Sequence, residues 1–169
     1  MSDIHLDSQI TKFKETYLEF LKQNINYTTV NKDIISVTTP FLDRHNDYTE
    51  ILIIDTHDGS YRLTDDGYTI NDLELSGFDF NTPKRKTTLL TTASRFGVSI
   101  NEESALEIKS SLSNMPLKKH MLLQCMVAVN ELFMLSKGSI LSYFIDDVVD
   151  FFEKNEIRYT KDINIIGKS

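Results

Sequence analysis

The strongest constraint on the fold lies in residues 40–67, where the apolar run Ile51-Leu52-Ile53-Ile54 follows Asp43, Asp47 and Glu50. After it come Thr56-His57-Asp58-Gly59-Ser60, Tyr61-Arg62-Leu63 and Thr64-Asp65-Asp66-Gly67. A short apolar run rich in isoleucine and bounded by turn residues reads as a strand. Gly59 supplies the positive φ that a tight connection demands. Strands are therefore expected over 48–55 and 60–63. Upstream, residues 27–30 and 34–39 have the same character around Asn31-Lys32-Asp33, whose polar side chains suit a turn, so four antiparallel strands are expected.

Helical signals surround this β region. Ile10, Phe13, Tyr17, Phe20 and Leu21 recur at helical spacing after Asp7 or Ser8 as a cap, predicting an opening helix that ends near Asn24. Beyond the turn at 64–67, residues 68–70 lead into a short helix capped by Asn71 and closed near Gly77. Thr82-Pro83 starts a helix through Leu89, Leu90, Ala93 and Phe96, ended by Gly97. Residues 98–100 and 105–112 form a predicted hairpin around 101–104, with Leu106, Ile108 and Leu112 on one face and Glu107, Lys109 and Ser111 on the other.

Pro116 opens the longest predicted helix, whose Leu117, Met121, Leu122, Cys125, Val129, Leu132 and Phe133 form an apolar face for packing on the sheet. Lys137-Gly138 is expected to break it. A second helix over about 140–155 would present Phe144, Val148, Phe151 and Phe152, and residues 157–166 have strand character through Ile163, Ile165 and Ile166. The expected fold class is α+β. An antiparallel sheet packs against a long helix of the C-terminal half, with an N-terminal helix and a helical C-terminal extension. One domain is expected over 1–137, and 138–169 form the extension.

A chain of 169 residues with 40% hydrophobic content can bury a real core. No internal repeat is visible. The first twenty residues lack a basic region followed by an uninterrupted apolar stretch, and no later run approaches a membrane span, so a soluble, cytoplasmic protein is expected. The single cysteine, Cys125, sits among apolar neighbours and reads as a small buried residue.

Charge is unevenly distributed. From 43 to 79 ten Asp or Glu face two Arg, a local excess larger than the net charge of −7 for the whole chain. Residues 80–135 reverse the sign with seven Lys or Arg against four Glu. Solvated charges are the ordinary reading of such a run. The functional reading is an acidic face of Asp43, Asp47, Glu50, Asp58, Asp65, Asp66, Asp72 and Glu74 that docks on a basic surface.

Three constellations bear on chemistry. Asp43, His45 and Asp47 alternate, and with Glu50, Asp65 or Asp66 they would suit a divalent cation and metal-assisted phosphodiester cleavage. Asp65-Asp66-Gly67 is also ordinary turn chemistry, in which aspartates accept backbone amides, and this reading is preferred. Glu107-Ile108-Lys109 has the spacing of many metal-dependent nucleases, but so short a triplet arises readily on exposed strands. Lys84, Arg85 and Lys86 open a helix whose dipole disfavours cations. They would suit a bound anion, or Arg85 could pair with one of the carboxylates at 65–79. A Gly-rich phosphate loop, a Cys-x-x-Cys pair and a His-Glu-x-x-His helix are all missing, which argues against the enzyme classes that depend on them.

Several of these residues align as a set. Thr39-Pro40-Phe41, Asp43, Asp47, Tyr61, Leu63-Thr64-Asp65-Asp66-Gly67, Gly77, Pro83-Lys84-Arg85, Phe96-Gly97-Val98 and the helix over 122–132 together resemble the bacterial and phage family known as domain of unknown function 1828, over roughly residues 30–135. Residues 144–152, Ile157-Arg158-Tyr159 and Ile166-Gly167-Lys168-Ser169 resemble the start of a partner family numbered 1829, here truncated. The resemblance implies a home among phages and mobile elements and supplies no established reaction.

These observations lead to one expectation: a non-catalytic recognition or inhibitor module whose acidic face binds a basic protein, with no cofactor. That partner would be a nucleic-acid-binding or defence protein. The alternative is a metal-dependent nuclease or nucleic-acid-processing subunit. Direct contact with nucleic acid is less favoured than contact with protein, and a homodimer through the C-terminal extension is a further option.

Overall fold

The computed structural model describes residues 2–78 and 80–159, with side chains from residue 6 onward except 134–147. In chain order the elements are α1 (Ser2–Asn24), β1 (Asn26–Thr29), β2 (Ile34–Leu42), β3 (Tyr48–Asp55), β4 (Tyr61–Thr64), α2 (Tyr68–Leu75), α3 (Pro83–Arg95), β5 (Ser99–Ile100), β6 (Leu106–Ser110) and α4 (Met115–Lys154). The chain divides into two compact units, the first ending at Leu132 and the second beginning at Phe133.

In the first unit six strands form one sheet in the order β1-β2-β3-β4-β6-β5, and every neighbouring pair is antiparallel. The α+β architecture is therefore as expected. Alternation decides which residues enter the core. Val37 lies opposite Ile51, and Ile53 lies opposite Leu63, which in turn lies opposite Ile108; all five are buried. The helices add to this core Ile70 and Leu73 of α2, Leu89 and Ala93 of α3, and Leu122, Leu123, Met126 and Val129 of α4. Cys125 is fully buried in the same helix, and burial pushes its thiol up to about 12.

Local chemistry sets the boundaries. Gly59 has φ +80° in the β3–β4 turn, where Asp58 Oδ1 accepts the amide of Ser60 at 3.0 Å. Thr82 Oγ1 accepts the amide of Arg85 at 3.3 Å, and Pro83 follows it in the first turn of α3.

Three sequence expectations are corrected. Helix α2 begins at Tyr68, ahead of the expected Asn71 cap, because Asp65 and Gly67 form its start. Strand β6 ends at Ser110, so Leu112 falls in a turn and is exposed. Helix α4 runs through Lys137-Gly138 without a break, since a lone glycine costs only about 1 kcal/mol within a helix that propagates from both sides. Helix α1 exists as expected, but its residues 6–20 are all exposed.

In the second unit Ile157 donates its amide to the carbonyl of Phe152 at 2.8 Å, and the rings of Phe152 and Tyr159 lie 5.5 Å apart. Residues 157–159 are irregular, and the remainder of the strand expected over 157–166 lies outside the described residues. So does the side chain of Phe144. No helix among the described residues is long and apolar enough to cross a membrane.

Candidate functional site: an acidic recess flanked by tyrosines

Strand β2 carries a register shift between Thr38 and Leu42, at Pro40, which cannot donate to the ladder. Buried Thr39 and Thr49 span the irregularity with hydroxyls 2.7 Å apart, and Thr49 Oγ1 donates to the carbonyl of Phe41 at 3.1 Å. The bend delivers the chain into the loop at 43–47. There Asp43 Oδ1 accepts the amides of His45 at 2.8 Å and Asp47 at 3.0 Å, while Asp43 Oδ2 accepts the hydroxyl of Tyr68 at 2.8 Å.

Three links bind this loop to α2. One is the Tyr68–Asp43 hydrogen bond. A second is Arg44, whose Nε donates to Asp72 Oδ2 at 2.7 Å and whose Nη2 donates to the Asp72 carbonyl at 2.9 Å and to Ser76 Oγ. The third is His45, whose Nε2 lies 3.1 Å from Asp72 Oδ1. The Arg44 hydrogen bond holds the Asp72 carboxyl below its usual range against a smaller opposing effect of burial. For Asp43 burial is the largest single influence and raises the pKa, yet the Tyr68 hydroxyl and the two loop amides together bring it below the ordinary value. Tyr68 shows the reciprocal effect: its hydrogen bond to Asp43, with burial adding to it, pushes the phenol up to about 12.

Within the Thr64–Gly67 turn, Asp65 is internal scaffolding and Asp66 is exposed. Asp65 is buried, and its carboxylate accepts the amides of Gly67 at 3.0 Å, Thr69 at 3.0 Å and Leu106 at 2.8 Å. Thr64 Oγ1 accepts the amide of Asp66 at 3.0 Å, which leaves the Asp66 carboxylate facing solvent.

Between β3 and this turn lies a recess of 310 Å³ lined by Tyr48, Glu50, Leu52, Asp65, Asp66 and Tyr68. Tyr48 and Tyr68 are 64% and 47% exposed, so both side chains are reachable from solvent. Glu50 and Asp66 are exposed, and Asp47 is exposed in the adjoining loop. None of the lining residues is cationic.

The structure sorts the eight acidic candidates. Asp43 and Asp65 are held inside the fold by backbone amides. Asp72 pairs with Arg44, and Asp58 pairs with Lys109 Nζ at 2.9 Å. Asp47, Glu50 and Asp66 gather at or beside the recess. Glu74 is exposed and lines a separate groove of 430 Å³ with Lys86, Leu89 and Glu102.

The three residues of the basic triplet have different surroundings. Arg85 lies over the ring of Phe78, 5.2 Å from its centroid, and Lys86 shares its groove with two carboxylates. Lys84 is exposed, and Asp79, the last acid of the run, lies outside the described residues. Glu107 accepts hydrogen bonds from Arg62 at 2.9 Å and from Asn101 at 3.0 Å, so the Glu-x-Lys triplet is held in separate ion pairs. Among the described residues no three of His, Cys, Asp or Glu converge as a metal centre requires.

The tyrosines escaped sequence reasoning that searched for charge. Their signal was present in β3, where Tyr48, Glu50 and Leu52 share one parity and therefore one face, opposite buried Thr49 and Ile51. Tyr68 had no comparable signal, since its position depends on the turn formed by Asp65.

The family model for "Domain of unknown function DUF1828" matches residues 39–129, more than half of the chain. The chain belongs to the DUF1828 family. Every residue lining the recess falls inside the DUF1828 match, as do the Asp43 and Asp65 amide clusters. No curated protein and no solved structure matches the chain.

Proposed function

We propose that this chain is a non-catalytic recognition module that holds a lysine- or arginine-bearing segment of a partner protein in the Tyr48/Tyr68 recess. The observation that carries the reading is the combination of two exposed aromatic rings with exposed Glu50 and Asp66 around one 310 Å³ concavity. A cation over a tyrosine face gains about 0.5–1 kcal/mol at an exposed site, and flanking carboxylates steer it there. The family resemblance favours a phage or mobile-element setting, with a nucleic-acid-binding or defence protein as the partner class.

The test uses short oligolysine and oligoarginine peptides, with intrinsic tyrosine fluorescence as the readout. Binding should weaken as salt rises and should be lost in the Glu50→Lys/Asp66→Lys double variant. Equal affinity for the two proteins, or binding indifferent to salt, rejects the reading.

A further inference from the structure

Helix α1 presents Leu6, Ile10, Phe13, Tyr17 and Phe20 at successive spacings of four, three, four and three residues, the periodicity of a coiled-coil seam. Their exposures range from 48% to 71%, so the described part of the fold does not cover the seam. A stripe of this kind on a 23-residue helix is apolar surface that a monomer in water rarely leaves bare.

The charges beside the seam indicate what covers it. In heptad terms Leu6, Phe13 and Phe20 occupy d positions and Ile10 and Tyr17 occupy a positions, which places both Asp7 and Lys14 at e. Antiparallel helices bring e positions together. When Ile10 faces Phe13 of a second copy and Leu6 faces its Tyr17, Asp7 of each chain faces Lys14 of the other. The two-fold axis forms this opposite-charge pair twice. Sliding the pair by one heptad instead sets Lys14 against Lys14 and places Leu6 of the second copy against Asn24, at the helix end where the chain enters β1. A parallel pair would crowd both sheets against one end of the helices.

We infer that α1 is a homodimerisation helix that pairs antiparallel with α1 of a second copy, through the Leu6–Ile10–Phe13–Tyr17 seam and reciprocal Asp7–Lys14 contacts. The inference is independent of the acidic recess, which lies on other elements.

Sedimentation and light scattering of the full chain over a concentration series should give a dimer mass. A monomer at every concentration overturns the inference, including the case in which residues of the chain's own second unit cover the seam. Phe13→Glu/Tyr17→Glu should give a monomer that retains the thermal transition of the sheet. Asp7→Lys or Lys14→Asp alone should raise the dimer Kd roughly tenfold, and the two together should restore it. Asp7 and Lys14 are about 10 Å apart along one helix, so such rescue cannot arise within a single chain. A dimer that ignores the seam substitutions, or single reversals that leave Kd unchanged, overturns the arrangement.

Discussion

The Asp65 carboxylate accepts the backbone amide of Leu106 at 2.8 Å, across 41 residues of sequence. One side chain thereby joins the turn that starts α2 to the first residue of β6, which also pairs with β4. Removing it strands three amides at once, those of Gly67, Thr69 and Leu106. Asp65→Ala should therefore destabilise the fold by about 3–5 kcal/mol in urea unfolding, and Asp65→Asn, which keeps one acceptor, by less.

The neighbouring Asp66 provides a control. It is exposed and its carboxylate holds no backbone amide in the turn, so Asp66→Lys and Glu50→Lys should each change stability by no more than about 0.5 kcal/mol. The same denaturation measurement then separates the structural aspartate from the one proposed to meet a partner. A cost for Asp66→Lys comparable to that of Asp65→Ala would show that the recess rim is part of the scaffold.

Gly67 combines φ +80° with close neighbours. A Cβ there would lie 3.1 Å from the Glu103 carbonyl oxygen and 3.0 Å from Asn71 Nδ2, whereas nothing lies within 4 Å of a Cβ at Gly59, which has the same φ. Gly67→Ala should cost more than Gly59→Ala, with the backbone strain of about 1 kcal/mol common to both and the clash confined to the first. Thermal melts of the two variants give the comparison directly.

Acid should loosen the loop at 43–47. The carboxyls of Asp43 and Asp72 both titrate below the ordinary value of 3.8 in the folded chain. Their contribution is thus fully present above that pH and is lost as pH falls through the lower folded values. Asp72→Asn should flatten the acid limb of the stability–pH curve, with a loss of about 1–3 kcal/mol at neutral pH that matches its partly buried pairing with Arg44. An unchanged acid limb would place the acid sensitivity elsewhere.

At the alkaline end the sign is opposite in pH but follows the same logic. Tyr68 has a folded pKa raised from 10.0 to about 12, so the stability it adds is present below 10 and disappears as pH rises through 12. Ultraviolet titration of the seven tyrosines should show a late component that is reduced in Tyr68→Phe, the remainder belonging to Tyr159, whose hydroxyl donates to Glu153 and is also raised.

Legibility in the sequence followed how locally each feature is determined. The hairpin around Asp58-Gly59, the Thr82-Pro83 helix start and the alternation at Leu106 and Ile108 each depend on a few adjacent residues, and each appears in the structure as read. The difference between Asp65 and Asp66 could not be read in that way. Both are acids in one turn; Asp65 takes two amides locally, from Gly67 and Thr69, but its third comes from Leu106 on β6, which no local pattern announces. The same holds for Asp43, whose third hydrogen bond comes from Tyr68 on a distant element, and for Asp72, which is claimed by Arg44. Gly138 was misread for the opposite reason: a local signal for a break is outweighed by helix on both sides.

The sequestered thiol of Cys125 gives this chain a practical property. At neutral pH a sulfhydryl so enclosed and so weakly acidic stays protonated and out of reach of alkylating reagents. The native protein should thus behave as though it had no cysteine. A spin label or fluorophore attached through Glu15→Cys on α1 would report from that position alone, with no need to engineer the core first.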